Sequence, residues 1–165
     1  MGVDVVMIEG PYVVLAVLGA LTTGLMAGVF CAFSVLVMRG LAALPPAQGV
    51  TAMNAINASA MTPVFVVLFL GSAALCAVIT VVTFVLWPDH GTARLLVGSA
   101  LYLCGAFGVT VVANVPRNET LMRKEPGTPE AVAYWPVYLR EWTRWNHVRT
   151  LASAASAAVY LLALI

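Results

Sequence analysis

The sequence predicts an all-α integral membrane protein, a four-helix bundle with short amphipathic helices in its first and third connections. Three observations carry that expectation. Of the 165 residues, 62% are apolar and only 9% charged, whereas a soluble domain runs near half apolar and a quarter charged. The apolar residues fall in runs long enough to cross a hydrocarbon core. All the Lys and Arg residues except Arg94 fall in or beside two of the three connections, the asymmetry that orients a membrane protein. This balance excludes a water-soluble globular domain, a disordered chain and a nucleic-acid binder with a basic face. The net charge of +1 gives no steering of polyanions. Residues 1–165 read as one transmembrane domain, with spans at about 11–38, 62–86, 93–115 and 142–165.

The first span begins with Pro11, which suits a helical first turn because its missing N–H is not needed there. It is longer than a bilayer requires, so it tilts or protrudes. Residues 1–10 carry Asp4 and Glu9 and no basic residue. A cleavable signal needs a basic start, so the span is expected to be retained. Gly24 and Gly28 form a G-x-x-x-G step continuing a ridge from Ala20, which lets another helix approach closely. The partner is another span of this chain or a second copy.

Pro45-Pro46 breaks the helix. A small-residue helix over 47–60 follows, with Asn54 and Asn57 on one face. The second span has Thr62 as its cap and Pro63 in its first turn, and Trp87-Pro88-Asp89 ends it. The third span is expected to stop at Pro116. In the third connection, Thr128 can cap a short helix from Ala131 toward Arg140, which Pro136 should interrupt. The fourth span has a clean apolar stretch only over 150–165. It therefore needs residues 142–149 as its first two turns, which puts Asn146, His147 and Arg149 at the membrane boundary. The basic residues place the first and third connections on the cytoplasmic side of the cell membrane and both termini outside. Sequons at Asn57 and Asn118 would then be unmodified chance matches. Cys31, Cys76 and Cys104 form no C-x-x-C pair and read as small core residues.

Polar groups near a bilayer are expensive and informative. Three sets share one end of the bundle: Asn54 and Asn57; Asn114, Arg117 and Asn118; and residues 140–150. Within the last, Trp142, Asn146, Arg149 and Ser153 recur at helical spacing. Together they would build a pocket with aromatic walls (Trp142, Trp145), amides and guanidinium groups. It suits a flat, oxygenated organic molecule, neutral or anionic, entering from the lipid. Each element also has a plain reading. Trp87, Trp135, Trp142 and Trp145 are all placed as interfacial anchors. Arg140 and Arg144 snorkel to the inner leaflet, and Arg149 is a site residue or a topology anchor. Asn57 is a site residue or bridges helices. His90 and His147 lie on opposite faces, so a metal site with several protein ligands is not expected. His147 reads as a proton acceptor, with a single axial haem ligand as the alternative. No phosphate loop, dinucleotide fingerprint or nucleophile elbow is present.

Four stretches, taken in order, resemble the anthrone oxygenase-like family of small membrane proteins. They are Gly24-Leu-Met-Ala-Gly28-Val-Phe30-Cys-Ala-Phe33-Ser34, Met53-Asn-Ala-Ile56-Asn57, Asn114-Val-Pro116-Arg-Asn118 and Trp142-Thr-Arg-Trp145-Asn146-His147-Val-Arg149-Thr150. The resemblance covers nearly the whole chain. It implies a four-span bundle and, from the fungal members, oxygenation of an anthrone to an anthraquinone without an obvious cofactor. The matching positions are Asn57, Asn114, Asn118, Trp142, Asn146 and Arg149. On that reading His147 takes a proton, Asn146 and Arg149 hold the developing oxyanion, and Trp142 and Trp145 stack on the substrate. The expected partners are the lipid bilayer and a small hydrophobic aromatic molecule, with a homo-oligomer open and no nucleic acid. Two other readings stand beside it: a non-catalytic protein that binds a quinone or lipid or serves as a partner subunit, and a haem protein using His147.

Overall fold

A computed structural model describes residues 10–88 and 90–165. Asp4 and Glu9, on which the retained-span reading rests, and Asp89 of the second span's stop lie outside them. The described residues form helices and connecting turns, without a strand. Five helices follow in order: α1 (Pro11–Ala42), α2 (Pro46–Ser59), α3 (Pro63–Leu86), α4 (Thr92–Met122) and α5 (Pro129–Ala163). Three of them, α1, α3 and α4, are long and apolar enough to cross a membrane. Their outward faces carry Leu21, Val64, Val67, Val81, Val85 and Val112, all well exposed. In water that surface would drive aggregation; against lipid tails it is at rest. The protein is therefore a helical membrane protein.

Local chemistry sets the helix starts. Proline occupies the first turn of α1, α2, α3 and α5. Thr128 caps α5, its Oγ1 accepting from the Ala131 N–H at 3.3 Å. Thr62 takes the cap position of α3 without a side-chain bond. Trp87 closes α3 in a left-handed conformation, φ 41°, its N–H bonded to the Thr83 carbonyl.

Helix α5 is the hub. Its largest interface is with α1, its next with α4; α3 lies between α4 and α1. Helices α1 and α5 run antiparallel: Gly19 lies against Tyr160, Gly24 against Ala157, and Ser34 against Asn146. One core joins Phe30, Phe69, Cys76, Ile79, Tyr102 and Tyr160. A second joins Met38, Val50, Met53, Leu121, Trp135, Tyr138 and Trp142, and seats α2 across one end of the bundle. Gly49 allows that seat, since a Cβ there would lie 2.6 Å from the Trp135 ring. At the other end the Tyr160 ring fits between Gly19 and Gly98, and its hydroxyl meets Ser99 Oγ at 2.7 Å and Cys76 Sγ at 3.4 Å.

Several expectations are corrected. The expected third span, α4, does not stop at Pro116 but runs on to Met122. Two π-helical segments, Leu103–Gly108 and Thr110–Asn114, precede the proline. Their wider hydrogen-bond register shifts the ladder just where the missing N–H falls, so the proline enters the next α-helical segment in its first turn. Pro136 does not interrupt the third connection either. One 35-residue helix runs from Pro129 to Ala163, joining the expected short helix to the expected fourth span. Pro136 faces outward, where solvent can reach the carbonyl it leaves unpaired, while Trp135, Tyr138 and Trp142 hold the helix down. Of the glycine ridge, Gly24 packs on Ala157 but Gly28 faces open space; the tight approaches between the long helices are at Gly19, Gly98 and Gly105. Only Cys76 is a core thiol, with Cys31 and Cys104 exposed, since in lipid an outward thiol loses nothing by facing out.

Candidate functional site

The polar stripe of α5 faces inward. Trp142, Asn146, Arg149 and Ser153 are each at most 5% exposed, a depth at which a guanidinium is costly. The stripe continues through Ser156 and Tyr160, also buried, which the sequence reading did not single out. Arg149 is held by two hydrogen bonds and two aromatic rings. Its Nη2 donates to Asn146 Oδ1 at 2.6 Å and its Nη1 to Thr110 Oγ1 at 3.2 Å. Its plane lies 4.4 Å from the Phe30 ring centroid and 5.0 Å from that of Trp142. Two aromatic faces thus supply part of the negative potential that water would. Among the described residues no carboxylate pairs with it, and its Nε is buried without a partner.

Because Asn146 Oδ1 accepts from Arg149, its Nδ2 must do the donating, to the Phe30 carbonyl and to Ser34 Oγ, both at 2.7 Å. The side-chain partners on α1 and α4 come from distorted turns, whereas Phe30 lies in the regular helix just before one. Ser34 lies in the π-helical segment Phe33–Val37 of α1, and Thr110 and Asn114 in the π-helical segment of α4. Such segments shift side chains around the axis and leave carbonyls for outside donors, which is why they gather at sites. Asn114 Nδ2 donates to the Trp142 carbonyl at 3.3 Å, and its Oδ1 is buried without a partner.

A second cluster lies toward α2. Asn118 Oδ1 accepts from Tyr138 Oη at 2.9 Å and from Trp142 Nε1 at 2.8 Å. Asn57 lies beside the Tyr138 hydroxyl. Burial pushes the Tyr138 hydroxyl above its ordinary range, against the opposing pull of Asn57, and burial followed by the Glu141 charge raises Tyr134. Both stay neutral, and Tyr138 donates to Asn118. Asn54 Oδ1, Asn57 Nδ2 and Trp135 Nε1 are buried and unpartnered.

Beside these clusters a groove of about 320 Å³ opens between α1 and α5, lined by Ser34, Val35, Met38, Arg39, Leu139 and His147 among others. Ser34 belongs to both regions. Behind the groove wall it accepts from Asn146, which leaves its hydroxyl the capacity to donate.

The structure thus brings together Asn114, Asn118, Trp142, Asn146 and Arg149, with Asn57 alongside. It does not bring His147 and Trp145 into that interior. His147 is exposed on the groove, one residue and so about 100° around the helix from Asn146. Trp145 is 38% exposed and stacks at 6.0 Å on Arg117, which pairs with Glu141 at 2.9 Å. Sequence reasoning missed Ser34, Thr110 and Tyr138. A buried serine or threonine in an apolar run carries no signal of its own, and Tyr138 lay in a stretch assigned to a separate helix.

The sequence model of the anthrone oxygenase family matches residues 61–159. That stretch holds every residue of the α4 and α5 clusters, while Ser34 and Asn57 precede it. No curated protein matches the sequence, and no solved structure matches it. With three-fifths of its length covered by one family, the chain belongs to the anthrone oxygenase family.

Proposed function

We propose that the chain is a membrane-embedded oxygenase acting on a flat, lipid-soluble aromatic of anthrone or quinol type, with dioxygen as oxidant. In this reading the C-terminal part of α5, from Trp142, is a fourth span of a single bundle in the cell membrane. The basic connections lie inside and the far ends of α1 and α5 outside. The substrate lies in the groove between α1 and α5, close to the inner leaflet.

One observation carries the proposal. A buried cation with no carboxylate partner among the described residues is linked through an amide to a hydroxyl on the groove wall, Arg149 to Asn146 to Ser34 at 2.6 and 2.7 Å. Each donor in such a chain polarises the next. Ser34 is thereby a stronger donor than a lone serine, aimed where an enolate or phenolate oxygen would develop. Arg149 and Asn146 then act through Ser34, and His147, in the same groove, takes the proton.

The chemistry balances without a further reductant. The anthrone carbon between its two rings loses a proton to His147, and the enolate passes one electron to dioxygen. The carbon radical and superoxide join in a new C–O bond, and proton return gives a hydroperoxide. Loss of water from it leaves the quinone: one oxygen atom is in the product, the other in water. The protein's share is to stabilise the enolate and keep the radical pair out of bulk water.

Purified protein in lipid discs, given an anthrone and dioxygen, should consume one equivalent of oxygen per quinone formed. Ser34→Ala and Asn146→Asp should lose most of that rate while remaining folded. Wild-type protein that does not exceed empty discs sinks the reading. A Soret band that disappears in His147→Ala would favour haem ligation over the base role.

A further inference from the structure

The groove has a polarity along its length that the oxygenase reading leaves unused. Because α1 and α5 are antiparallel, Ser34 and His147 lie at one level, and Arg39 and Arg140 lie further out toward the α2 end. Ser34 precedes Arg39 by five residues and His147 follows Arg140 by seven. At the helical rise, that sets the two levels about 7–10 Å apart, the reach of a fused polycyclic body. Between them the walls are Val35, Met38 and Thr143, with Ala42 and Leu139 just beyond the arginines. Among the described residues no carboxylate lines the groove. Among the described residues neither Arg39 nor Arg140 has an ion-pair partner; the nearby Glu141 is taken by Arg117. Both arginines are exposed, so the fold does not need them buried.

We propose that this groove selects an aromatic acid. The flat body lies along Val35, Met38 and the aliphatic side of Thr143, an ionised carboxylate lies between Arg39 and Arg140, and the reactive end lies at Ser34 and His147. This rests on the oxygenase reading for the identity of the reactive end, but not for the anion site itself. Two guanidinium forks facing one opening match the planar geometry of a carboxylate. In a bilayer, where an apolar molecule gains little by leaving lipid for an apolar wall, a charged end is also what makes the groove a better place than the membrane.

The test compares anthraquinone-2-carboxylate with neutral 2-methylanthraquinone. Binding is read by quenching of tryptophan fluorescence in phosphatidylcholine discs, with empty discs subtracted. The carboxylate should bind at least ~10-fold more tightly, a preference that Arg39→Gln and Arg140→Gln each reduce and the double variant abolishes. The neutral probe should bind all variants alike, and Arg140→Lys should keep part of the preference. Equal affinity of the two probes overturns the proposal, as does a preference that survives in the double variant. Displacement of the carboxylate by phosphatidylglycerol in the discs also overturns it, assigning the arginines to a lipid headgroup. Oxygen uptake separates the two ideas. A carboxylate preference without turnover of an anthrone or its carboxylate leaves the anion site and removes the oxygenase; turnover without the preference does the reverse.

Discussion

Arg149 donates to Asn146 at 2.6 Å across a single turn of α5, and this one bond fixes the direction of the whole network. An asparagine alone can turn its amide either way. With a guanidinium on its oxygen, its nitrogen must face α1. The partners waiting there, the Phe30 carbonyl and Ser34 Oγ, are both able to accept.

Asn146→Asp separates holding from donating. The carboxylate still accepts from Arg149 but has nothing to give Phe30 or Ser34. Oxygen uptake should fall about 10²-fold or more, the typical cost of an oxyanion donor, with helical circular dichroism unchanged. Asn146→Ala, which leaves buried groups unpaired, should also lower stability by about 1–3 kcal/mol.

Arg149→Met should uncouple stability from activity. A buried cation without a counter-ion is itself expensive, and losing it offsets the cost, about 1–3 kcal/mol, of leaving Asn146 Oδ1 unpaired. The thermal midpoint should hold or rise while turnover is lost. A variant that is active and unstable would make Arg149 a purely structural residue.

Asn118 is read as a clip between helices, since its one oxygen serves both Tyr138 and Trp142. Asn118→Leu leaves two buried donors unpaired and should cost about 2–4 kcal/mol in thermal or denaturant unfolding. Asn118→Asp keeps the acceptor and should restore most of the loss.

Gly49→Ala drives a methyl group into the Trp135 ring. It should destabilise the α2 seat by about 1–3 kcal/mol, seen as a shift in tryptophan emission. Gly28→Ala meets open space and should be neutral or better by up to about 1 kcal/mol, the helix-propensity gain.

His147→Gln should lose turnover, and free imidazole should restore part of it, because the vacated position opens on an exposed groove. Failure of imidazole at any concentration, with the substrate still bound, would remove the base role.

The apolar runs and the stripe Trp142–Asn146–Arg149–Ser153 were legible because both are periodic, and periodicity survives in a bare sequence. The run of α4 through Pro116 and of α5 through Pro136 was not. Proline is read locally as a break, and whether a preceding π-helical segment or an outward face absorbs it depends on tertiary packing. Ser34 was invisible for a related reason: it lies within an apolar run, and only the shifted register of residues 33–37 turns it toward Asn146. His147 was placed on the same end as Arg149, correctly, but sharing an end is not sharing a cavity. One step along a helix turns a side chain by about 100°.

The ring of Tyr160, seated between Gly19 and Gly98 with its hydroxyl on Ser99 and Cys76, ties four helices at the rim opposite the groove. One side chain is thus the common fastening of α1, α3, α4 and α5, so a change at Tyr160 reaches all four helices at once while lying a bundle's length from the groove.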